Sequence, residues 1–218
     1  MGDRMRSRFD EQLHLLNKKM TQMGAECERI IAQTASALLE GNVASARKAK
    51  EQGQRIDQME REIESICLKL LLQQQPVAKD LRVISAALKM ITDMERIGDQ
   101  AEDIAEIITF LDGRTDEECR DIRLMAETTM KMVTDSIDAY VKGDLALARS
   151  VSEHDDVVDD AFLRVKQTLI SMISENTADG EYALDLLMIA KYFERIGDHA
   201  VNIAEWVEFS VTGIHKGE

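Results

Sequence analysis

Proline and aromatic residues are scarce in this sequence of 218 residues, which has one proline and 4% aromatic residues. A β-sheet protein of this length would need more turn-forming residues. Alanine, leucine, isoleucine, methionine, glutamate and lysine fill most of the sequence instead, and these include the strongest helix formers. The composition therefore predicts an all-α protein, long enough to bury an apolar core without cross-links.

Cysteine is also sparse, and its three copies are widely separated at Cys27, Cys67 and Cys119. The number is odd and no C-x-x-C spacing occurs, so neither a disulfide framework nor a thiolate zinc site is predicted. This usage is typical of proteins in a reducing compartment.

Long apolar stretches are missing as well. No window approaches the roughly 18 apolar residues that span a bilayer, and the first residues, MGDRMRSRFDEQ, contain no apolar signal-peptide core. We therefore expect a cytoplasmic protein without direct membrane insertion.

Basic residues are fewer than acidic ones, 27 against 41, so the net charge is −14. Nucleic-acid binding requires a basic surface, so nucleic acid is not expected as a partner. Cations and proteins with basic surfaces are the expected binding partners. The sequence also has no Gly-rich phosphate loop, no G-x-S-x-G and no Cys/His pairing for nucleophilic catalysis, so we predict no catalytic residues and no enzyme.

An internal repeat organises the chain. ERIGD at 95–99 recurs at 194–198, and each copy is followed by a matching alanine and then by IAE. Further upstream, LLEGNVASAR at 38–47 aligns with YVKGDLALAR at 140–149. The match extends over most of each half, so the two halves are expected to share one fold.

Three amphipathic helices are predicted in each half from the spacing of apolar residues. The first helix of each half ends at a glycine followed by Asn or Asp, at Gly41-Asn42 and Gly143-Asp144. This pattern predicts a glycine C-terminal cap that leads directly into the N-cap of the second helix.

The second helix of each half is expected to end in QQQP at 73–76 and in SENTADGE at 174–181, with Pro76 starting the third helix. The polar segment LDGRTDEE at 111–118 separates the halves. We therefore predict two tandem, pseudo-symmetric three-helix bundles, formed by residues 1–112 and 113–218.

The third helix of each half has one stripe that is apolar throughout and should face the core. Its members are Val83, Ala87, Met90, Met94, Ile97, Ala101, Ile104 and Ile108 in the first half and Tyr182, Leu186, Ile189, Phe193, Ile196, Ala200, Ile203 and Val207 in the second. A second stripe begins apolar and turns acidic, at Glu95, Asp99, Glu102 and Glu106 in the first half and at Glu194, Asp198 and Glu205 in the second.

Residues four apart lie on one side of a helix, so Glu95 with Asp99, and Glu194 with Asp198, can each offer oxygens to one cation. Carboxylate ligands suit hard ions such as iron, manganese, magnesium or calcium. Further oxygens are expected from the second helix of each half and from beside the acidic stripe. These candidates are Asp57, Glu60 and Asp159 on the second helices, Asp103 beside the first stripe, and Asn202 at the position equivalent to Asp103.

A simpler alternative to metal binding is that the acids are only solvent-exposed surface residues, because acidic runs on helices are usually solvated. Arg96 and Arg195 can pair with Asp99 and Asp198 and compensate their charge. Gly98 and Gly197 lie mid-helix in both halves at a cost of about 0.5–1 kcal/mol each relative to alanine, which indicates close approach of a ligand, a backbone or a packed helix.

The chain closely resembles the PhoU family through QQPVAKDLR at 74–82, the two ERIGD segments and the duplicated layout. The resemblance implies two three-helix bundles, a cytoplasmic homodimer or higher oligomer, and negative regulation of phosphate uptake and phosphate-starvation signalling. It implies as partners the transporter's ATPase subunit and a membrane sensor histidine kinase. It also implies iron or zinc clusters on the paired acids, which map here onto Glu95/Asp99 and Glu194/Asp198.

Two other hypotheses compete with this regulatory adaptor. One is a carboxylate-bridged, di-iron-type redox enzyme, although neither ERIGD helix supplies the usual Glu-x-x-His. The other is a helical scaffold whose acids only confer solubility. Val201 and Asn202, which stand where the first half has Glu102 and Asp103, suggest that the second acidic face binds fewer ions or binds them more weakly.

Overall fold

Six long helices make up the protein in a computed structural model that describes residues 2–73, 76–114, 119–176 and 179–214. The helices are α1 (Gly2–Glu40), α2 (Val43–Gln73), α3 (Ala78–Ile108), α4 (Cys119–Lys142), α5 (Leu145–Glu175) and α6 (Gly180–Thr212). Throughout these ranges every regular element is helical, so the all-α prediction is confirmed, with three helices in each half.

Glycine caps close the α1–α2 and α4–α5 hairpins as the sequence predicts. Gly41 and Gly143 have φ angles of 62° and 65°. The N–H of Asn42 donates to the carbonyl of Ala37, and that of Asp144 to Ala139, which completes a Schellman motif at each helix end. The side chains of Asn42 and Asp144 then accept hydrogen bonds from the first backbone N–H groups of the following helices, so each turn ends one helix and starts the next.

The third helix of the first half begins two residues later than predicted. Val77, in extended conformation, is the N-cap of α3, and Pro76 precedes it. The predicted breaks at 73–76 and 174–181 and the segment at 111–118 coincide with the ends of helices where they are described, but residues 74–75, 115–118 and 177–178 lie outside the described ranges. The division at 112/113 stays a prediction.

α3 and α6 pack against each other in antiparallel orientation along their whole length. Lys89 lies 5.9 Å from the ring centroid of Trp206, and Asp93 is bonded to Asn202. Tyr192 hydrogen-bonds Asp103 further along the same pair of helices. The positions that meet therefore run in opposite directions along the two helices, which is the arrangement expected for two halves related by a pseudo-twofold axis.

The remaining helices complete a two-layer arrangement. α1 packs on α2, α3 and α4, and α4 packs on α1, α5 and α6. α2 lies against α1 and α3, while α5 lies against α4 and α6. The order α2–α3–α6–α5 thus forms one layer, and α1 and α4 cover its back.

One continuous apolar core runs through both halves. Both predicted stripes of α3 and α6 are buried in it, except that Val83 is only partly buried. Among the described residues, no helix combines the length and apolar character of a membrane span.

The two cap glycines differ in their surroundings and therefore in their expected tolerance to alanine. A Cβ on Gly143 would meet its nearest neighbour, a methyl of Val211, at 3.9 Å, whereas a Cβ on Gly41 would lie 2.4 Å from the carbonyl oxygen of Gly113. Gly143→Ala should lower the free energy of unfolding by about 1 kcal/mol through left-handed backbone strain alone. Gly41→Ala should cost about 2 kcal/mol or more, because backbone must also move. Urea unfolding of both variants tests this; equal losses would contradict it.

Candidate metal centres

The first acidic centre joins α2 to α3. One oxygen from each of Asp57, Glu95 and Asp99 lies within 4.8 Å of the other two, a spacing that one cation could bridge. Glu95 and Asp99 come from successive turns of α3, and Asp57 comes from the facing side of α2. All three side chains are partly buried, so the predicted grouping of Asp57 with the first ERIGD pair is found in the structure.

Close packing of α2 on α3 sets this geometry. Ile56 is fully buried next to Asp57, and a Cβ on Gly98 would lie 3.1 Å from its Cδ1 atom. Glycine at position 98 therefore allows α2 to approach α3. In this half, the mid-helix glycine serves helix packing.

Mutual repulsion characterises the first centre. The pKa of Glu95 is raised by burial and then by Asp99, while Arg96 opposes the rise. The pKa of Glu60 is also raised, by burial first and then by Glu64 and Asp57. Arg96 lies 3.2 Å from an oxygen of Asp99 and 3.5 Å from one of Glu95, so the predicted Arg96–Asp99 pair forms. Arg96 and Arg61 also oppose the rise in the pKa of Glu60.

The second acidic centre joins α5 to α6 and includes a residue that the sequence reasoning missed. Burial raises the pKa of Asp155 to about 6, with further contributions from Asp159, Asp198, Asp156 and Glu194. The pKa values of Asp159 and Asp198 are raised as well, in both cases first by burial and then by Glu194. The D-x-x-x-D spacing at 155–159 was the signal that could have identified Asp155.

A lysine distinguishes the second centre from the first. Lys191 forms an ion pair with Glu194 and also lies 5.6 Å from the ring centroid of Phe162. Phe162 occupies the repeat position of Glu60. The second centre thus has an internal cation where the first has another acid, and a metal ion would compete there with the ammonium group.

Asp103 and Asn202, both predicted as candidate ligands, take part in the contact between the halves. The Tyr192 hydroxyl on α6 donates to Asp103 on α3. The Asn202 amide donates to Asp93 at 3.2 Å, and His199 bonds the same Asp93 oxygen at 2.9 Å. These bonds cross the α3–α6 interface at pseudo-equivalent positions, so they tie together the two helices that carry the centres.

The donor set in both centres consists of carboxylates, which favours hard cations over soft ones. In the first centre, a divalent ion would offset both the burial and the repulsion from Asp99 that raise the pKa of Glu95. It would also connect α2 to α3 through ligands from both helices. The residues of the first centre therefore fit a hard metal ion.

The chain is similar to known proteins over nearly its whole length. A family model described as "PhoU domain" matches residues 20–108 and 122–207, one match in each half. A protein of Clostridium acetobutylicum, named phosphate-specific transport system accessory protein PhoU homolog, is 35% identical over 207 residues, which is 94% of each chain. A Thermotoga maritima protein, named as PhoU homolog 1 of the same system, is 33% identical over 212 residues and covers 96% of this chain and 91% of its own.

Solved structures agree with the fold. The crystal structure of PhoU from Pseudomonas aeruginosa superposes with a TM-score of 0.90 at 32% identity, covering 94% of this chain and all of that one. PhoU from Streptococcus pneumoniae has a TM-score of 0.88 at 23% identity, covering 96% of this chain and all of that one, and this likeness concerns the fold alone.

Asp155 should make the stability of the metal-free protein depend on pH. Its pKa is about 6 in the folded chain against 3.8 for the unperturbed group, so between about pH 4 and pH 6 the folded state binds more protons and its stability falls as pH rises. In EDTA, Asp155→Asn should flatten this decline by about 1 kcal/mol, because solvent screening reduces the effect of a half-exposed group.

Urea unfolding at pH 4, 5, 6 and 7 measures this difference, with Glu153→Gln at an exposed position of the same helix as the matched control. The wild type and the control should show the same decline. A decline unchanged in Asp155→Asn would show that Asp155 does not hold the perturbed proton.

Proposed function

This chain belongs to the PhoU family, and from that premise we propose that it is a regulatory accessory protein of phosphate-specific transport that represses phosphate uptake and phosphate-starvation signalling. The observation that carries the proposal is the match over both halves of the chain, including relatives above 30% identity whose names state this accessory role. Each half has one acidic centre, so the protein would present two acidic surfaces to its partners.

The proposed partners are the transporter's ATPase subunit and a membrane sensor histidine kinase, which the protein would meet in the cytoplasm as a homodimer or higher oligomer. The net charge of −14 supports docking on basic partner surfaces. Contacts of this kind are sensitive to ionic strength, because exposed charges are screened over about 8–10 Å at physiological salt.

Metal on the acidic centres would shape the docking surface. Asp57, Glu95 and Asp99, with Glu60 near them, would hold a hard cation in the first half, and Asp155, Asp159, Glu194 and Asp198 would hold one in the second. The ion would supply positive charge that neutralises the clustered acids. The chain's own residues would then fix α2 on α3 and α5 on α6, which makes the layer α2–α3–α6–α5 more rigid.

A di-iron-type redox enzyme and a purely structural scaffold are the alternatives to this proposal. In the first centre the grouped ligands are three carboxylates, and His199 bonds Asp93 at the interface between the halves, so no observation favours the oxidase. The scaffold hypothesis requires that the acids be dispensable for function. Joint consumption of ferrous ion and oxygen would support the enzyme.

Phosphate-starvation reporter output provides the direct test of regulation. A strain lacking this gene and grown in abundant phosphate should show high output, and the intact gene should silence it. Unchanged output after deletion would refute the proposed repression.

Complementation with a variant of the acidic centres separates the adaptor from the scaffold. Glu95→Gln, Asp99→Asn, Glu194→Gln and Asp198→Asn remove four charges with little change of shape. If metal shapes the docking surface, the combined variant should fold but fail to silence the reporter. The wild type should gain stability against unfolding with Mn²⁺, about 2.7 kcal/mol for each occupied site at a hundredfold excess over Kd, and the combined variant should lose this gain. Full silencing by the folded variant would favour the scaffold.

A further inference from the structure

Two arginines from different helices meet at one buried carboxylate, where α1 packs on α2. Glu26 of α1 is only 4% exposed. Its Oε2 atom lies 3.0 Å from Nη1 of Arg29, one turn further along α1. Its Oε1 atom lies 3.1 Å from Nη2 of Arg55 on α2. A single carboxylate thus holds two guanidinium groups next to each other.

The charges in this cluster do not cancel, because two guanidinium groups face one carboxylate. The other arginine ion pairs in the described part of the chain each set one arginine against one or two acids. The cluster therefore has an excess of one positive charge in a protein whose net charge is −14. Such a local excess favours an anion as the ligand.

Both guanidinium groups have N–H donors available for a further acceptor. The side chains of Arg29 and Arg55 are 55% and 62% exposed, and a guanidinium group has five N–H donors. Among the described residues, the Oε2 atom of Glu26 has no hydrogen-bond partner, so its contact with Arg29 does not use an N–H donor of that arginine. Donors from two helices are thus available to one ligand.

The internal repeat shows that helix packing does not require this cluster. The positions of the second half that correspond to Glu26, Arg29 and Arg55 are Thr128, Lys131 and Val157. Lys131 pairs with Asp135 on its own helix, and Val157 is an exposed apolar side chain. Because α4 packs on α5 without a shared carboxylate, the packing of α1 on α2 does not explain why two arginines converge on Glu26.

We propose that Arg29 and Arg55 bind inorganic phosphate and that Glu26 is the buried residue that positions their guanidinium groups. A guanidinium group matches the oxygens of phosphate in a planar, bidentate geometry, and two such groups can contact different edges of one tetrahedral ion. The anion site follows from these residues alone, whereas the choice of phosphate among oxyanions rests on the proposed function. Since each helix contributes one arginine, bound phosphate would connect α1 to α2.

Phosphate titration of the full chain at constant ionic strength tests the site. The Nε–H signals of the arginines in ¹⁵N nuclear magnetic resonance spectra provide the readout, and those of Arg29 and Arg55 are identified by their loss in variants. Both signals should shift along one saturation curve. A Kd of about 1–10 mM is expected, because both side chains are more than half exposed and solvent screens their charge.

Variants of α2 separate a specific site from general attraction by charge. Arg55→Gln should weaken phosphate binding at least about tenfold, because one of the two guanidinium groups is lost. Arg61→Gln removes the same charge from another exposed position of α2 and should stay within about twofold of the wild type. Arg55→Lys keeps a positive charge beside Glu26 but should still weaken binding about threefold or more, since an ammonium group lacks the planar fork.

Glu26→Gln tests the positioning role, because it changes the net charge and the geometry in opposite senses. If only net charge held phosphate, removing a carboxylate beside two arginines would strengthen binding. Loss of the group that holds both guanidinium groups should instead weaken binding about threefold or more. Far-UV circular dichroism melting establishes which variants fold, and Arg55→Lys, which keeps the charge of Glu26 paired, replaces Arg55→Gln if that variant unfolds.

Four results would overturn the proposal. Without a saturable shift in the wild type there is no phosphate site, although the reporter test of repression is unaffected. A shift of only one arginine signal would mean that the two helices do not share a ligand. Equal weakening in Arg61→Gln and Arg55→Gln would reduce binding to general charge attraction, and tighter binding in Glu26→Gln would remove the positioning role. Conversely, saturable binding by both arginines would establish the site even if gene deletion left the reporter unchanged.

Discussion

The antiparallel packing of α3 against α6 is the constraint on which the rest of the structure depends. Each of these helices buries a full apolar stripe in the shared core, and burying one large apolar side chain contributes about 1.5–3 kcal/mol. Repulsion between neighbouring half-exposed carboxylates is weaker, of the order of 1 kcal/mol per group. The apolar stripe therefore fixes the rotation of each helix about its axis, and the acidic stripe must face α2 or α5.

The polar contacts between α3 and α6 add a link between the two centres. Asp93 accepts from Asn202 and bonds His199, and the pseudo-equivalent Tyr192 donates to Asp103. Helices joined in this way are expected to move as a unit.

The acidic centres themselves are unfavourable for stability in the absence of a cation. Burial and neighbouring acids raise the pKa values of Glu95, Asp155 and Asp198, and a raised carboxyl pKa means that ionisation at neutral pH opposes folding. Clusters of this kind in otherwise locally consistent sequences usually mark functional sites. The extensive core allows the protein to tolerate this local destabilisation.

Much of the fold and part of the site could be predicted from the sequence because the relevant interactions are local or periodic. Glycine caps, apolar stripes and pairs of acids four residues apart all follow from helix geometry, and the repeat then relates Asp57 to Asp159. Asp155 was missed because its partner position, Gly53, is not acidic, so the repeat gave no indication of it. The start of α3 was placed two residues early because Pro76 suits either the first turn of a helix or the residue before its cap.

The sequence by itself determined six helices, their pairing into two similar halves and the presence of an acidic stripe on each third helix, since these depend on residues within a few turns of one another. Only the tertiary structure decided which acids meet. Asp57 joins Glu95 and Asp99 because Gly98 allows Ile56 of α2 to approach α3, and Asp103 and Asn202 turn to the interface between halves because α3 and α6 pack in antiparallel register. These contacts join residues that are far apart in the chain, and their geometry depends on how closely two helices pack.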